Sequence, residues 1–157
     1  MIEGDKIIKL AMDTWGRVDI LINNAGIVFK ASFHRKKEEE WNKVMETHLF
    51  GSYKCTRAAW NIMREQQYGR IVNTSSPIGL YGDTHISDYS TAKSGLNGFT
   101  FSLALEGAKR NILTNSVAPI ADTRMTKDNT LLDPFRHMLP ASSIVPLVAY
   151  LCHESCR

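Results

Sequence analysis

Val18-Asp19-Ile20-Leu21-Ile22-Asn23-Asn24-Ala25-Gly26 is the stretch that decides the fold we predict for this chain. Its first six residues form a short, nearly continuous apolar run, which is typical of a strand buried on both faces of a parallel sheet. Asn23-Asn24-Ala25-Gly26 then ends the strand in a turn of polar and small residues. Parallel strands need crossover connections, so helices should lie on either side of this strand.

Helices and strands alternate along the rest of the chain. Apolar residues recur at helical spacing before and after the first strand, and two more short apolar runs follow. The longest helical stretch should form two segments that meet near His48. This alternation is the pattern of right-handed βαβ crossovers, so we predict an α/β fold, a parallel sheet with flanking helices. The predicted helices span residues 3–15, 38–66, 87–109 and 144–152, and the predicted strands span residues 18–23, 70–75 and 111–117.

The composition indicates one globular domain. A chain of 157 residues that is 43% hydrophobic can bury the core of one domain but not of two. Its 19 basic and 16 acidic residues leave a weak net charge of +3. The one dense charge run, residues 35–40, holds both signs, so we interpret it as the solvated start of a helix. We expect no nucleic-acid partner.

Other classes of protein lack support in the sequence. Cys55, Cys152 and Cys156 are odd in number and sparse, which fits a reducing compartment or an intracellular organelle better than a disulfide framework. His153 lies close to the last two cysteines, but no fourth ligand is evident, so we expect no metal site. No stretch approaches the roughly 18 apolar residues of a membrane span. We therefore expect no membrane span.

Tyr89-Ser90-Thr91-Ala92-Lys93 begins a predicted helix, which brings the phenol and the ammonium to one face about one turn apart. A fixed positive charge favours phenolate, so this tyrosine can exchange a proton. Ser76 lies just past the carboxyl end of a strand, where open α/β sheets bind ligands, and its hydroxyl can donate to a substrate oxygen. The structural alternatives are a surface tyrosine–lysine pair and an ordinary turn serine.

These elements, in this order and spacing, resemble the short-chain dehydrogenase/reductase family: N-N-A-G, then Ser, then Y-x-x-x-K. The resemblance implies a Rossmann-like domain that transfers a hydride between NAD(P) and a secondary alcohol or ketone. It implies that Tyr89 is the general acid/base, that Ser76 orients the reacting oxygen, and that Lys93 lowers the tyrosine pKa and holds the nicotinamide ribose. The cofactor-binding residues that it implies are Asn24, Ala25, Gly26, Tyr89, Lys93, Ala121, Asp122, Thr123 and Arg124.

A finer resemblance is carried by residues 54–60, 68–74, 104–109, 118–119, 123–126 and 151–155. They are similar to the dehydrogenase domains of the peroxisomal multifunctional β-oxidation enzymes. That resemblance implies oxidation of (3R)-3-hydroxyacyl-CoA to 3-ketoacyl-CoA with NAD, with NADP not excluded, in the peroxisome or otherwise in the cytoplasm. The last residues carry no S-K-L-type address, so the location rests on resemblance. The resembled family forms homodimers, here through the helices around 49–66 and 87–109.

His48 occupies a position where most short-chain dehydrogenases have an asparagine. The asparagine holds a water in a proton relay to the lysine, and a histidine here is similar to the multifunctional-enzyme branch. A neutral imidazole can both donate and accept, so we assign His48 to the catalytic group as a relay residue. The alternative is a buried histidine whose hydrogen bonds are satisfied within the fold.

The family domain opens with a strand and T-G-x-x-x-G-x-G, whose glycines admit the pyrophosphate to a helix amino terminus. This sequence has no such motif and ends before the family's last strand. The resemblance therefore implies that residues 1–157 are a partial domain, the catalytic half, without the amino-terminal βαβ units. The strands at 18–23 and 111–117 would then form open sheet edges.

Two other functions stay open at this point. Without the phosphate-binding loop, the chain could be a catalytically inactive truncated remnant or an interaction partner. A 3-ketoacyl carrier-protein reductase shares the same catalytic residues and spacing, although His48 and residues 151–155 count against it. The chain also departs from the resembled family at residues 82–88, where the loop before the tyrosine is more acidic, and at Ile120. Both departures bear on the fit of substrate and nicotinamide.

Overall fold

The computed structural model describes residues 4–156 and confirms the predicted alternation of helices and strands. The main helices are α1 (Gly4–Trp15), α2 (Glu38–Met45), α3 (Gly51–Gln66), α4 (Ile78–Tyr81), α5 (Ser87–Gly107) and α6 (Val145–Cys152). The strands are β1 (Ile20–Asn23), β2 (Gly69–Thr74) and β3 (Ile112–Val117). Short 3-10 helices span Phe33–Arg35, Ala108–Arg110, Arg124–Thr126, Thr130–Met138 and Ala141–Ile144, and the sequence predicts none of these.

The three strands of the described chain form one sheet in the order β1-β2-β3, and both pairings are parallel. Asn23 pairs with Asn73 of β2, which in turn pairs with Ser116 of β3. The carboxyl ends of all three strands therefore meet at one edge, as the prediction of a parallel α/β sheet requires. The predicted fold class is confirmed.

The central strand β2 is covered on both faces. Ile71 packs against Ala59 and Met63 of α3, in a core cluster that also includes Ile8 of α1. On the opposite face, Val72 packs with Cys152 of α6. A strand between two helical layers must be apolar on both faces, which explains the continuous apolar run of β2.

The prediction that β1 is buried on both faces is wrong. Ile20 and Ile22 are 47% and 48% exposed, whereas Asn23 at the end of the strand is buried. The alternation arises because α3 packs against one face of β1, while α6 on the other face packs against β2. The apolar sequence of β1 does not reveal which of its faces is covered.

The long helical stretch of residues 38–66 is interrupted where the sequence predicts that two segments meet. Glu46–Phe50 forms a π-helical turn between α2 and α3, and His48 lies in the middle of it. A π turn widens a helix locally and often occurs at functional sites. Among the helices of residues 4–156, none combines the length and apolar character needed to cross a bilayer.

Candidate active site at the carboxyl edge of the sheet

Three loops meet where the strands end. Thr74, at the end of β2, donates a 3.1 Å hydrogen bond from its Oγ1 to Oδ1 of Asn24, which follows β1. The backbone N–H of Ser75 donates to the carbonyl of Val117 at the end of β3 over 2.7 Å. This is the edge at which open α/β sheets bind ligands, so the loops are joined where a site is expected.

Buried amide side chains support this edge from below. Nδ2 of Asn23 donates to Thr56 Oγ1 at 3.1 Å and to Asn73 Oδ1 at 2.8 Å. Nδ2 of Asn73 donates to Thr100 Oγ1 at 2.9 Å. A fully bonded polar network in a core fixes the elements that carry it. Here it ties the strand ends to α3 and α5.

Tyr89 and Ser76 come together in this corner, and both are buried. Ser76 Oγ accepts a 3.2 Å hydrogen bond from the backbone N–H of Ile78, which begins α4. Burial raises the pKa of the Tyr89 phenol, and a hydrogen bond with Ser76 lowers it to a smaller extent. The Tyr89 phenol and the Ser76 side chain therefore lie close to each other.

Lys93 lies one turn along α5 from Tyr89, and its side chain is buried. Its ammonium is 5.5 Å from the centre of the Tyr89 ring and donates to the Thr74 carbonyl. Burial lowers the pKa of Lys93 to about 8. Gly79 makes this packing possible, because a Cβ there would lie 2.7 Å from Lys93 Cβ.

His48 is buried against the same tyrosine. The two rings meet edge to face with centroids 5.0 Å apart. Its Nε2 lies 3.0 Å from the Ile27 nitrogen and 2.7 Å from the Ile27 oxygen. One ring nitrogen cannot accept from the N–H and donate to the carbonyl at once, so the tautomer selects one of these bonds. Burial, followed by the charge of Lys93, lowers the pKa of His48 to about 4, so the ring is neutral at pH 7.

Gly26 has a role that the sequence interpretation misses. A Cβ at this position would lie 2.6 Å from Cε1 of His48. The last residue of the N-N-A-G motif therefore leaves room for the histidine ring. From the sequence, Gly26 is expected only to bind cofactor, because a glycine alone does not reveal which neighbouring side chain it accommodates.

Seven of the nine residues predicted to bind cofactor lie on two loops of this edge, and the other two, Tyr89 and Lys93, lie on α5. Asn24, Ala25 and Gly26 are exposed after β1, and the other predicted segment follows β3, with Ala121 buried and residues 122–124 exposed. Exposed small residues leave backbone open to a ligand. Lys93 has three N–H donors, of which the Thr74 carbonyl takes one. These groups fit the ribose and nicotinamide end of a dinucleotide.

Arg136 organises the loop after β3, although the sequence interpretation does not include it. It donates from Nη1 to Asp122 at 2.5 Å, and from Nε to Asp133 at 2.8 Å. Its Nη2 donates to the backbone carbonyls of residues 126, 127 and 129. One guanidinium thus gathers a segment of short 3-10 helices and loops, and no local sequence pattern signals this.

The interpretation of residues 35–40 as a solvated charge run is wrong for Lys36. Its side chain is 3% exposed, and its ammonium lies 3.0 Å from Asp88 Oδ2, whose side chain is 0% exposed. Asp88, in the loop of residues 82–88 that differs from the resembled family, thus has a buried counter-ion. The only indication of this in the sequence is that Asp88 directly precedes Tyr89.

Within residues 4–156, no three His, Cys, Asp or Glu side chains come together as metal ligands.

Comparisons with known proteins agree with this geometry. The family model described as short chain dehydrogenase matches residues 3–131. The peroxisomal hydratase-dehydrogenase-epimerase of Saccharomyces cerevisiae is 51% identical over 98% of this chain and 17% of its own length. The peroxisomal multifunctional enzyme type 2 of Drosophila melanogaster is 47% identical over 100% of this chain and 26% of its own length.

A solved structure of full-length peroxisomal multifunctional enzyme type 2 from Drosophila melanogaster superposes with a TM-score of 0.81. It is 40% identical and covers 99% of this chain and 26% of that protein. The chain thus spans between about a sixth and a quarter of the length of these relatives. The family inferred from N-N-A-G, Ser76 and Tyr89-x-x-x-Lys93 is confirmed: this chain belongs to the short-chain dehydrogenase family.

Proposed function

We propose that this chain transfers a hydride between NAD and a (3R)-3-hydroxyacyl-CoA, interconverting it with the 3-ketoacyl-CoA. The family uses NAD(P), and the similarity to peroxisomal multifunctional enzymes supports the narrower choice. The observation that carries the proposal is the meeting of Ser76, Tyr89 and Lys93 in one buried corner at the carboxyl edge of the sheet.

In the oxidation, the Tyr89 phenolate accepts the proton of the substrate hydroxyl, and the Ser76 hydroxyl donates a hydrogen bond to the same oxygen. The acceptor for the hydride of the carbinol carbon would be supplied by bound NAD. Lys93 places a positive charge 5.5 Å from the centre of the Tyr89 ring, and a nearby positive charge favours a phenolate. Burial raises the pKa of Tyr89, and Ser76 lowers it to a smaller extent. The remaining N–H donors of Lys93 can hold the nicotinamide ribose. Asn24, Ala25 and Gly26, with Ala121 and residues 122–124, would line the cofactor.

We assign His48 to the path by which the proton leaves Tyr89. Its Nδ1 is buried without a hydrogen-bond partner in the described structure, and its Nε2 is held at Ile27. Because the ring is neutral at pH 7, it can donate or accept without adding charge beside Lys93. A water bound at Nδ1 would connect Tyr89 to solvent.

The substrate class is supported by the segment that follows β3. Met125, Leu131, Phe135 and Met138 are 40% to 81% exposed on this segment, at the same sheet edge as the site. An exposed apolar set of this kind fits an acyl chain. By similarity to relatives named peroxisomal, we place the activity in the peroxisome.

We further propose a homodimer formed through α3 and α5. Tyr53, Phe101 and Leu105 on these helices are 47%, 63% and 82% exposed. Large exposed side chains on adjacent helices are typical of subunit interfaces. Sedimentation analysis should give a dimer for the native chain and a monomer for Leu105→Glu.

The function is tested by following nicotinamide absorbance with NAD and either the (3R) or the (3S) isomer of a 3-hydroxyacyl-CoA. We expect turnover of the (3R) isomer, and its loss in Tyr89→Phe but not in Tyr81→Phe, whose tyrosine is 87% exposed. Equal rates in the native chain and Tyr89→Phe, or faster reduction of a 3-ketoacyl carrier-protein thioester with NADPH, would refute the proposal.

A further inference from the structure

Two opposite charges are buried against the amino-terminal turn of α5. Lys36 directly follows the short 3-10 helix Phe33–Arg35, and Asp88 is the second residue of α5. The ammonium and the carboxylate are 3.0 Å apart, and their side chains are 3% and 0% exposed. Removing either charge alone leaves the other buried without a counter-ion, which is strongly destabilising, whereas removing both is not.

Each charge also bonds to the backbone of a different segment. Asp88 Oδ1 accepts a 2.9 Å hydrogen bond from the backbone N–H of Tyr89. Lys36 Nζ donates to the carbonyl of Phe29 at 2.5 Å. A backbone hydrogen bond from Ala31 to the carbonyl of His85 joins the same two segments. The pair is therefore the polar link between residues 27–36 and the turn that begins the tyrosine helix.

The apolar packing at this junction reaches the tyrosine itself. Tyr89 and Ile86 form one buried cluster with Val44 of α2, and Ile27 and Phe29 pack against that cluster. Tyr89 thus donates a backbone hydrogen bond to its neighbour Asp88 and belongs to the cluster against which the segment anchored by Lys36 packs. A shift of this segment would move the phenol relative to Ser76.

We propose that Lys36 and Asp88 are a positioning pair that fixes the first turn of α5 and thereby sets the Tyr89 hydroxyl within hydrogen-bonding distance of Ser76. The importance of this position for turnover rests on the proposed function, because Tyr89 is the group that exchanges the proton. The position of the Tyr89 hydroxyl relative to Ser76 can be tested without turnover.

A displaced Tyr89 side chain and a direct effect of nearby charge change the Tyr89 pKa in different directions when Asp88 is lost, so the two can be distinguished. The groups that face it are Lys93 from its own helix, His48 from the π turn, Ser76 from the β2 loop, and the Lys36–Asp88 pair. The intact pair has no net charge. Loss of Asp88 alone would lower the tyrosine pKa by electrostatics, and loss of Lys36 alone would raise it. Loss of the hydrogen bond with Ser76 raises the pKa in both cases.

The test is a carbon-13 NMR titration of the tyrosine rings in the full 157-residue chain, with Tyr89→Phe identifying the Tyr89 signal among the five tyrosines. We expect Asp88→Asn and Lys36→Met each to raise the Tyr89 pKa by about half a unit to one unit, the size of one lost hydrogen bond. The double variant leaves no unpaired buried charge, so it should recover part of the thermal midpoint that each single variant loses. Its Tyr89 pKa should stay raised, because the link that positions the tyrosine is missing.

Asp88→Glu provides a charge-preserving variant if a single charge deletion does not fold. It keeps both charges but shifts the carboxylate by one methylene, so we expect a smaller upward shift of the Tyr89 pKa. Opposite shifts in the two single variants would assign the effect to electrostatics and overturn the proposal. An unchanged Tyr89 pKa in every variant that folds would also overturn it. Because the titration needs no turnover, an inactive native chain would count against the proposed function alone.

Discussion

The corner that holds Tyr89 and the segment after β3 lie at the same sheet edge but are built differently. The corner is buried, with Ser76, Lys93 and His48 each packed against regular elements. The segment of residues 118–140 is largely exposed and is gathered by a single guanidinium, Arg136. The difference indicates that the fold fixes the groups for which we propose proton exchange and leaves the proposed acyl-chain surface adjustable. Four variants test this division, from the largest expected effect to the smallest.

Lys93→Met should abolish most activity without lowering stability. Loss of the ammonium beside Tyr89 should reduce kcat by roughly 10²–10⁴-fold, the range for disabled acid–base groups. Burial lowers the Lys93 pKa from 10.5 to about 8, so charging this group opposes folding at pH 7. The free energy of unfolding should therefore rise, by up to about 3 kcal/mol. Urea unfolding measures it, with exposed Lys109→Met as the control; a large loss of stability would contradict the burial argument.

His48 should make the buried corner sensitive to acid. Its pKa is about 4 in the folded chain and 6.5 for a solvated histidine side chain, so between these values only the unfolded state binds the proton. Stability is therefore fully retained above pH 6.5 and is lost as the pH falls toward 4, by about 3 kcal/mol.

His48→Asn removes the titrating group and should flatten the urea-unfolding profile between pH 4 and 6.5. The matched control is His137, which is exposed in the segment after β3. His137→Gln should leave the native profile unchanged. If the free energy of unfolding of the native chain does not change between pH 4 and 6.5, His48 is more accessible to solvent than its burial indicates.

Gly26→Ala should disturb the corner through a clash. The added Cβ would lie 2.6 Å from Cε1 of His48, so the ring or the loop must shift. Overpacking of this kind costs about 1–3 kcal/mol, and we expect a corresponding fall in thermal midpoint and in kcat. Gly98 is the matched control, because a Cβ there meets nothing within 4 Å. Gly98→Ala should be neutral or stabilising, and equal losses in both variants would contradict the role of His48.

Arg136→Lys should affect substrate binding more than chemistry. A lysine cannot reproduce the fork that bonds Asp122, Asp133 and three carbonyls, so the segment should loosen. We expect a several-fold rise in KM for the acyl-CoA, a change of about 1 kcal/mol, with kcat nearly unchanged. A fall in kcat with constant KM would place this segment with the catalytic corner instead.

The sequence is most informative where a local pattern has one structural solution. Apolar periodicity locates the helices and strands, and the spacing of Ser76, Tyr89 and Lys93 locates one sheet edge. It is least informative where the outcome depends on distant neighbours. A charge run is usually solvated, so only the fold reveals that Lys36 meets Asp88. The 3-10 helices after β3 have no strong periodicity, and their organisation by Arg136 depends on contacts across up to 14 residues.

The number of residues in the π turn Glu46–Phe50 determines which side chains of that turn face the site. A π turn is equivalent to an α-helix with one additional residue. Deleting one residue from Glu46–Phe50 would convert the π turn to a regular α-helical turn and leave α2 and α3 in nearly the same orientation. Met63 would stay in the core, whereas the residues of the turn, including His48 at Ile27, would change place. An alignment gap within this turn therefore marks a relative whose tyrosine has different neighbours.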